Sequence, residues 1–148
     1  MNRLVVNMYK DMLLSIKRGN GVNGKSIAKP ILLLSIIENI SSQKLICNNL
    51  LCDDNNIKNC YARLMMAHGE QSKISMSVPY YHLASSPFYH LIWKEKERPP
   101  FGGHTPSAKY LREHLLYAKL DDELWELLQD AESREYIKQS IIRRYLTE

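Results

Sequence analysis

Most apolar positions in the chain fall at helical spacing. Leu4, Val5, Met8, Met12, Leu13 and Ile16 recur every three or four residues and predict an amphipathic helix over 3–17. Gly19, Gly21 and Gly24 then predict a flexible loop. Pro30 sits where a helix can begin, because its missing N–H is not needed in the first turn. From there Ile31, Leu32, Leu33, Leu34, Ile36, Ile37 and Ile40 are apolar nearly all round, the pattern of a central, buried helix. Positions 41–49 are mostly polar, with Leu45 and Ile46 a candidate short strand. Asp53 or Asp54 offers an N-cap to a third helix, on which Ile57, Cys60, Tyr61, Leu64 and Met65 share one face. Gly69 is its natural stop, and Asn55, Asn56, Lys58, Asn59 and Arg63 lie largely on its polar side.

The texture changes after Lys73. Ile74, Met76, Val78 and Tyr80 alternate with other residues, and an aromatic-rich run from Phe88 to Trp93 follows a Ser85-Ser86-Pro87 break, which predicts a β-hairpin. Pro99, Pro100, Gly102 and Gly103 make 94–106 a loop. Helical patterns return with Leu111, His114, Leu115 and Ala118, then with Leu124, Trp125, Leu127 and Leu128, and a last helix runs from about Ala131 to Leu146. The expected class is α+β: a mainly helical single domain over 1–148 with a small antiparallel β-hairpin. Its expected parts are the N-terminal helix 3–17, core helices and hairpin over 28–94, and a C-terminal helical part over 107–147.

At 148 residues the chain is long enough to bury roughly 70% of its unfolded surface. With 45% apolar and 24% charged residues, wholesale disorder is excluded. No apolar run approaches the ~20 residues of a membrane span, and Asn7 and Lys10 interrupt any signal-peptide core. Three cysteines cannot all pair with one another, so a cytoplasmic protein with no membrane association is expected. The charge is uneven: 14 Lys and Arg against 7 Asp and Glu over 1–110, then 6 against 9 over 111–148. The excess is sharpest over 1–30, where Arg3, Lys10, Lys17, Arg18, Lys25 and Lys29 face only Asp11. A basic front suits a protein that docks a polyanion on one face; the competing reading is an ordinary solvated surface.

Several chemical motifs compete. Gly19 to Ser26 matches G-x-x-x-x-G-K-S letter for letter, the loop that wraps nucleotide phosphates. That chemistry requires a strand before the loop and a helix starting at Lys25-Ser26. Here an amphipathic helix precedes the loop and Pro30 follows four residues after Ser26, so a Gly/Asn-rich surface loop is the better account. Cys47, Cys52, Cys60 and His68 lack the short C-x-x-C spacing of zinc knuckles, and no metal or cofactor is expected. In the predicted hairpin His82 and His90 would face one another, either as metal ligands or as paired aromatics on a half-exposed sheet. No nucleophile elbow, paired-carboxylate motif or HNH nuclease finger is present, so the chain is not expected to be an enzyme. A basic helical domain with an aromatic hairpin makes DNA binding plausible, with a protein-interaction module as a further alternative.

A family resemblance sharpens this reading. Ala28-Lys29-Pro30-Ile31-Leu32-Leu33-Leu34 resembles the (H/A)-(K/R)-P-x-x-L-L motif that opens a domain at the front of bacterial HNH restriction endonucleases. Val78-Pro79-Tyr80-Tyr81-His82-Leu83 resembles that family's P-F-x-x-L strand. Phe88-Tyr89-His90-Leu91 with Trp93 resembles its F-W-x-L partner. Ser107 to Glu113 and Leu120 to Glu135 are similar to its C-terminal part, so the resemblance runs from about Ser26 to Leu146. Val78 stands where the family has an aromatic, Ala28 where it has a histidine, and His82 where it has a small or polar residue.

In that family the domain binds sulfur: it recognises double-stranded DNA carrying a backbone phosphorothioate, and a separate HNH module cuts. The resemblance implies a non-catalytic DNA reader of a restriction system, acting beside an HNH nuclease or as part of a longer one. It implies an apolar notch at Pro79, flanked by Val78, Tyr80 and His82. Lys29 would be the adjacent cation, and residues around His104 to Lys109 would close the site. Arg63, on the polar face of the third helix, joins Lys29, Val78, Pro79, Tyr80, His82, His104 and Lys109 as a candidate DNA contact.

Overall fold

The computed structural model describes residues 2–21, 24–69, 74–95 and 104–147, without the side chains of Asn20, Gly21 and Gly24. Helix α1 (Arg3–Leu13) is shorter than the 3–17 its spacing suggests, ending in a turn at Leu14, although Ile16 still reaches the core. Two short antiparallel strands, β1 (Asn20–Gly21) and β2 (Gly24–Lys25), pair Asn20 with Lys25. Helix α2 (Ala28–Ser41) follows. Its Ile31, Leu32, Ser35 and Ile36 are all at most 2% exposed, so it is buried on every side as expected. Pro30 is its third residue, within the first turn whose N–H groups lack intrahelical partners. The buried hydroxyl of Ser35 donates to Ile31 O at 2.8 Å, so it adds no orphan to the core.

Helix α3 (Asn55–Ala67) begins at Asp54, whose carboxylate accepts from Ile57 N at 3.0 Å, one of the two N-caps expected. It ends at His68, and Gly69 follows with a φ of 74°, the left-handed conformation that suits a helix stop. Leu45 and Ile46 form no strand; Leu45 is buried and Ile46 is exposed.

The stretch expected to be the first arm of the hairpin is instead helix α4 (Ser77–His82), continued by a 3₁₀ turn over Leu83–Ser85. Met76, Pro79, Tyr80 and Leu83 are the buried apolar residues. Their spacing of i, i+3, i+4, i+7 is helical, and it outweighs the two-residue alternation of Ile74, Met76, Val78 and Tyr80. Strand β3 (Tyr89–Trp93) therefore finds its partner much later in the chain. Helix α5 (Ala108–His114) gives way at Leu115 to strand β4 (Leu115–Leu120), so the helix expected through Ala118 is cut short. The strands are antiparallel, pairing Tyr89 with Leu120 and Ile92 with Tyr117. A bulge between Ile92 and Trp93 pairs Trp93 with Leu115 and resets the alternation, so Leu115, Ala118 and Leu120 are all buried. Helices α6 (Asp122–Gln129) and α7 (Ala131–Tyr145) complete the chain. The outcome is a mainly helical α+β fold whose described residues form two two-stranded antiparallel sheets, the short β1–β2 pair and β3–β4.

One hydrophobic cluster runs through all of these helices and the β3–β4 sheet. Helices α3, α4, α6 and α7 pack on α2, and α1 packs on α7. Asp121, just after β4, accepts from the Tyr9 hydroxyl at 2.9 Å and pairs with His90, fastening α1 to the sheet. Burial and this carboxylate together push the Tyr9 hydroxyl well above its ordinary pKa. The expected loop residues Pro99, Pro100, Gly102 and Gly103 lie outside the described residues. No helix among the described residues is long and apolar enough to cross a membrane.

The outer edge of β4 is closed by the 48–50 segment. Leu50 forms an isolated bridge with Ala118, and the Asn48 amide both donates to Leu120 O at 2.7 Å and accepts from Leu120 N at 2.9 Å. Asn48→Ala removes both side-chain bonds and is expected to lower unfolding stability by about 2 kcal/mol, read from urea denaturation. Asn48→Asp, which sets a carboxylate against Leu120 O, should lose at least as much.

Candidate functional site

The start of α2 and the body of α4 face each other across a cleft of about 680 Å³. Its apolar side chains are Ala28, Ile74, Val78 and Pro79, and its cations are Lys17, Arg18 and Lys29, with His82 among them. Among the described residues, no aspartate or glutamate lines it. The position of Lys29 follows from the burial of its neighbours. Pro30 is buried and does not line the cleft, while Ala28 is buried at its edge, so Lys29 is the polar side chain of the first turn that reaches the cleft.

A short polar network holds these groups. Lys29 Nζ donates to Lys17 O at 2.6 Å and lies 3.4 Å from Ser85 Oγ, while the Ser85 hydroxyl donates to His82 O at 3.0 Å. His82 Nε2 bonds Thr105 Oγ1 at 2.7 Å, which ties α4 to the segment entering α5. Partial burial pulls the Lys29 ammonium below its ordinary pKa, and the charge of Lys17 pulls it further. The His82 imidazole is likewise held below its usual value, first by burial and then by the charge of Lys29. Both shifts have the sign expected of a partly buried basic group with a like charge beside it.

The cleft face of α4 is unusual for a helix start. Ser77 N bonds Ser75 Oγ at 3.4 Å, Val78 N bonds Ser75 O at 3.0 Å, and Tyr80 N bonds Met76 O at 2.9 Å. Position 79 is proline and has no N–H. The first turn therefore offers the cleft no free backbone donor, and its wall is carbon. The arrangement can hold an anion that is partly apolar, with charge met by the ammonium and bulk met by Pro79 and Val78.

The site expected from the sequence is thus partly assembled: Lys29, Val78, Pro79 and His82 line one cleft. Tyr80 does not; it is 2% exposed, and its hydroxyl donates to Leu50 O at 2.6 Å. Arg63 lies on α3, bound to Glu38 at 2.7 Å, and is not among the lining residues. His104 is exposed and precedes Thr105, the partner of His82; Lys109 is exposed on α5, 4.0 Å from Glu113. Sequence reasoning missed Lys17, Arg18, Ile74, Ser75 and Ser85. Lys17 and Arg18 carried a signal, since they belong to the most basic stretch of the chain. His82 and His90 do not face one another, because His82 is helical and His90 pairs with Asp121 from β3.

The nucleotide alternative loses its geometry. Gly19 to Ser26 includes β1 and β2 rather than a strand-to-helix loop, with Ser26 N bonded to Gly19 O at 2.7 Å, and Val22 and Asn23 lie outside the described residues. Among the described residues no three His, Cys, Asp or Glu side chains gather as a metal site requires. Cys60 is buried, and its thiol donates to Glu38 Oε2 at 3.1 Å.

No family model and no curated protein sequence matches the chain significantly. Solved structures do. The sulfur-binding domain of ScoMcrA complexed with phosphorothioated DNA superposes with a TM-score of 0.71, at 16% identity over 93% of this chain and 86% of that one. The fold is that of a sulfur-binding domain. The corresponding domain of SprMcrA, also complexed with phosphorothioated DNA, gives a TM-score of 0.67 at 17% identity, over 96% of this chain and 86% of that one. A longer ScoMcrA structure holding the sulfur-binding and SRA domains with phosphorothioated DNA matches at a TM-score of 0.71 and 17% identity. There the match takes in 93% of this chain and 42% of that one.

Within this sulfur-binding-domain fold the electrostatics of the cleft are directly measurable. The His82 imidazole is expected to titrate below 6.5 in an NMR pH series, the ordinary value for histidine. Lys29→Ala, by removing a like charge, should move that midpoint upward. The folded state binds this proton less readily than the unfolded chain, so the group's contribution to stability falls as pH drops through 6.5, levelling off below the folded midpoint. An unmoved midpoint in Lys29→Ala would show that the two side chains do not share a field.

Proposed function

We propose that this protein reads double-stranded DNA through its backbone and that the cleft between α2 and α4 recognises a phosphorothioate. The observation that carries the reading is the placing of Pro79 beside Lys29 in a cleft whose described lining holds no acid, in the fold shared with domains solved on phosphorothioated DNA. A non-bridging sulfur is larger and less well hydrated than oxygen, so it loses less on leaving water for a carbon wall. Pro79 and Val78 supply that wall, and the Lys29 ammonium supplies the charge-assisted contact to the same phosphate group. His82 borders the notch and narrows it. His104 and Lys109 meet neighbouring phosphates from the α5 side. Arg63 and Tyr80 are left out of the interface, the first because Glu38 holds it and the second because it is buried.

In this role the chain is a non-catalytic reader in a cytoplasmic restriction system, and cutting is the work of an HNH nuclease module. Nothing in the fold or the cleft favours nucleotide binding at Gly19 to Ser26 or a purely protein-binding role.

The decisive experiment is fluorescence anisotropy with matched duplexes, one carrying a single stereo-defined phosphorothioate, titrated at two salt concentrations. Preference for the sulfur-bearing duplex is expected; equal affinity for both would refute sulfur recognition, and no binding to either would refute DNA reading. Lys29→Ala should weaken binding and lower the slope of log affinity against log salt by about one. Pro79→Ala restores a backbone N–H and removes ring carbons, so it should shrink the preference for sulfur more than it weakens binding to plain DNA. Binding should also strengthen as pH falls below 6.5, because an anion in the cleft raises the depressed His82 pKa and the complex takes up a proton.

A further inference from the structure

We propose that Arg18, Tyr145 and Arg144 form a second backbone-contact station, which carries the DNA past the cleft onto the end of α7; this rests on the reading of the cleft given above. Arg18 belongs to both places. It lines the cleft, and its guanidinium carbon lies 4.7 Å from the centroid of the Tyr145 ring. Arg144 approaches the same ring at 5.3 Å. The two guanidinium groups are therefore neighbours, with one aromatic ring between the cleft and the C-terminal helix as their common support.

The ring is a fixed platform. Tyr145 is 8% exposed, its hydroxyl donates to Leu13 O at 2.6 Å, and it accepts from Ile16 N at 3.4 Å. These bonds clamp the last turn of α7 to the chain leaving α1, so Lys17 and Arg18 are presented from a segment that cannot drift from α7. A guanidinium stacked on a ring keeps its N–H edge available and gives up less freedom on binding than an unsupported lysine.

Charge completes the argument. The ion pairs among the described residues engage Arg63, His90, Lys109, His114 and Lys119. Lys17, Arg18, Lys29 and Arg144 are in none of them, and the cleft and the Tyr145 ring bring them to one corner of the fold. Each strand of duplex DNA presents a charge about every 3.4 Å along the axis, so cations this close together can meet phosphates of one backbone. The occupant that fits is ordinary phosphate, continuous with the strand held in the cleft, and no base or sulfur is read here.

The test compares wild type with Arg144→Ala and with Lys138→Ala, a control of equal charge change on the same helix but beside Glu38. Both duplexes, with and without sulfur, are titrated at several salt concentrations. Arg144→Ala is expected to weaken binding to both about three- to tenfold at low salt and to lower the salt slope by about one, leaving the sulfur preference unchanged. Lys138→Ala should move neither quantity, and Arg144→Lys should restore most of the slope. An Arg144→Ala protein that binds like wild type, or that loses no more than Lys138→Ala, overturns the proposal and leaves the stacked arginines as structural. If wild type shows no sulfur preference, the cleft reading fails while the slope still decides the station. If wild type binds neither duplex, both fall.

Discussion

The rest of the structure hangs on the burial of α2. Each large apolar side chain taken from water contributes about 1.5–3 kcal/mol, and Ile31, Leu32 and Ile36 are almost wholly enclosed, with α3, α4, α6 and α7 packed around them. A helix immersed to this degree has its rotation about the axis and its position along it fixed by every neighbour. The consequence for the site is direct: with Ala28 and Pro30 buried on either side of it, Lys29 is held at the cleft by the core rather than by surface contacts. The unfavourable partial burial of its ammonium is small beside what the helix gains, and Lys17 O and Ser85 Oγ offset part of it.

The cleft carries an electrostatic tension that the fold tolerates. Lys17, Arg18 and Lys29 share it with His82 and, among the described residues, with no carboxylate, so like charges raise one another's free energy at close range. The downward shifts at Lys29 and His82 come first from burial and then from that repulsion. A site built only for stability would have placed an acid here, as the chain does beside Arg63 with Glu38 and beside Lys119 with Asp122. An arriving anion relieves the repulsion, so its binding draws on free energy already stored in the unliganded protein.

Much of this was legible in the sequence, and what was not failed for identifiable reasons. Helix α2, the Asp54 cap and the Gly69 stop rest on local spacing and backbone chemistry, which a single sequence displays. The strand partner of Phe88 to Trp93 was misread because 74–83 satisfies two periods at once, and only burial against α2 decides for the helix. The turn from α5 into β4 was hidden because Leu111, Leu115 and Ala118 suit a helix until the bulge opposite Trp93 is known. In the site, Lys29 and Pro79 were found through motifs. Lys17 and Arg18 were visible only as diffuse charge, because what brings them to the cleft is the clamp of Tyr145 on Leu13 and Ile16, a contact spanning almost the whole chain. Tyr80 illustrates the converse: adjacency to a site residue placed it in the motif, while helical geometry turned it into the core.

Pro79 explains how one residue serves both the fold and the chemistry. The opening turn of a helix ordinarily displays N–H groups with no partner, and such donors favour small, strongly hydrated oxygen anions. In α4 those groups are silenced: Ser77, Val78 and Tyr80 are each bonded nearby, and the remaining position has no N–H to offer. A residue tolerated at a helix start because its donor is dispensable thus becomes, on the cleft side, a patch of carbon where a donor would otherwise stand. The cleft then separates two tasks that most anion sites combine. In the proposed reading, charge is met by the side chains of Lys17, Arg18 and Lys29, and polarisability and size are met by Pro79 and Val78. The proposed discrimination between a sulfur and an oxygen on the same phosphate rests on that separation, because the two anions differ little in charge and chiefly in how readily one atom gives up its water.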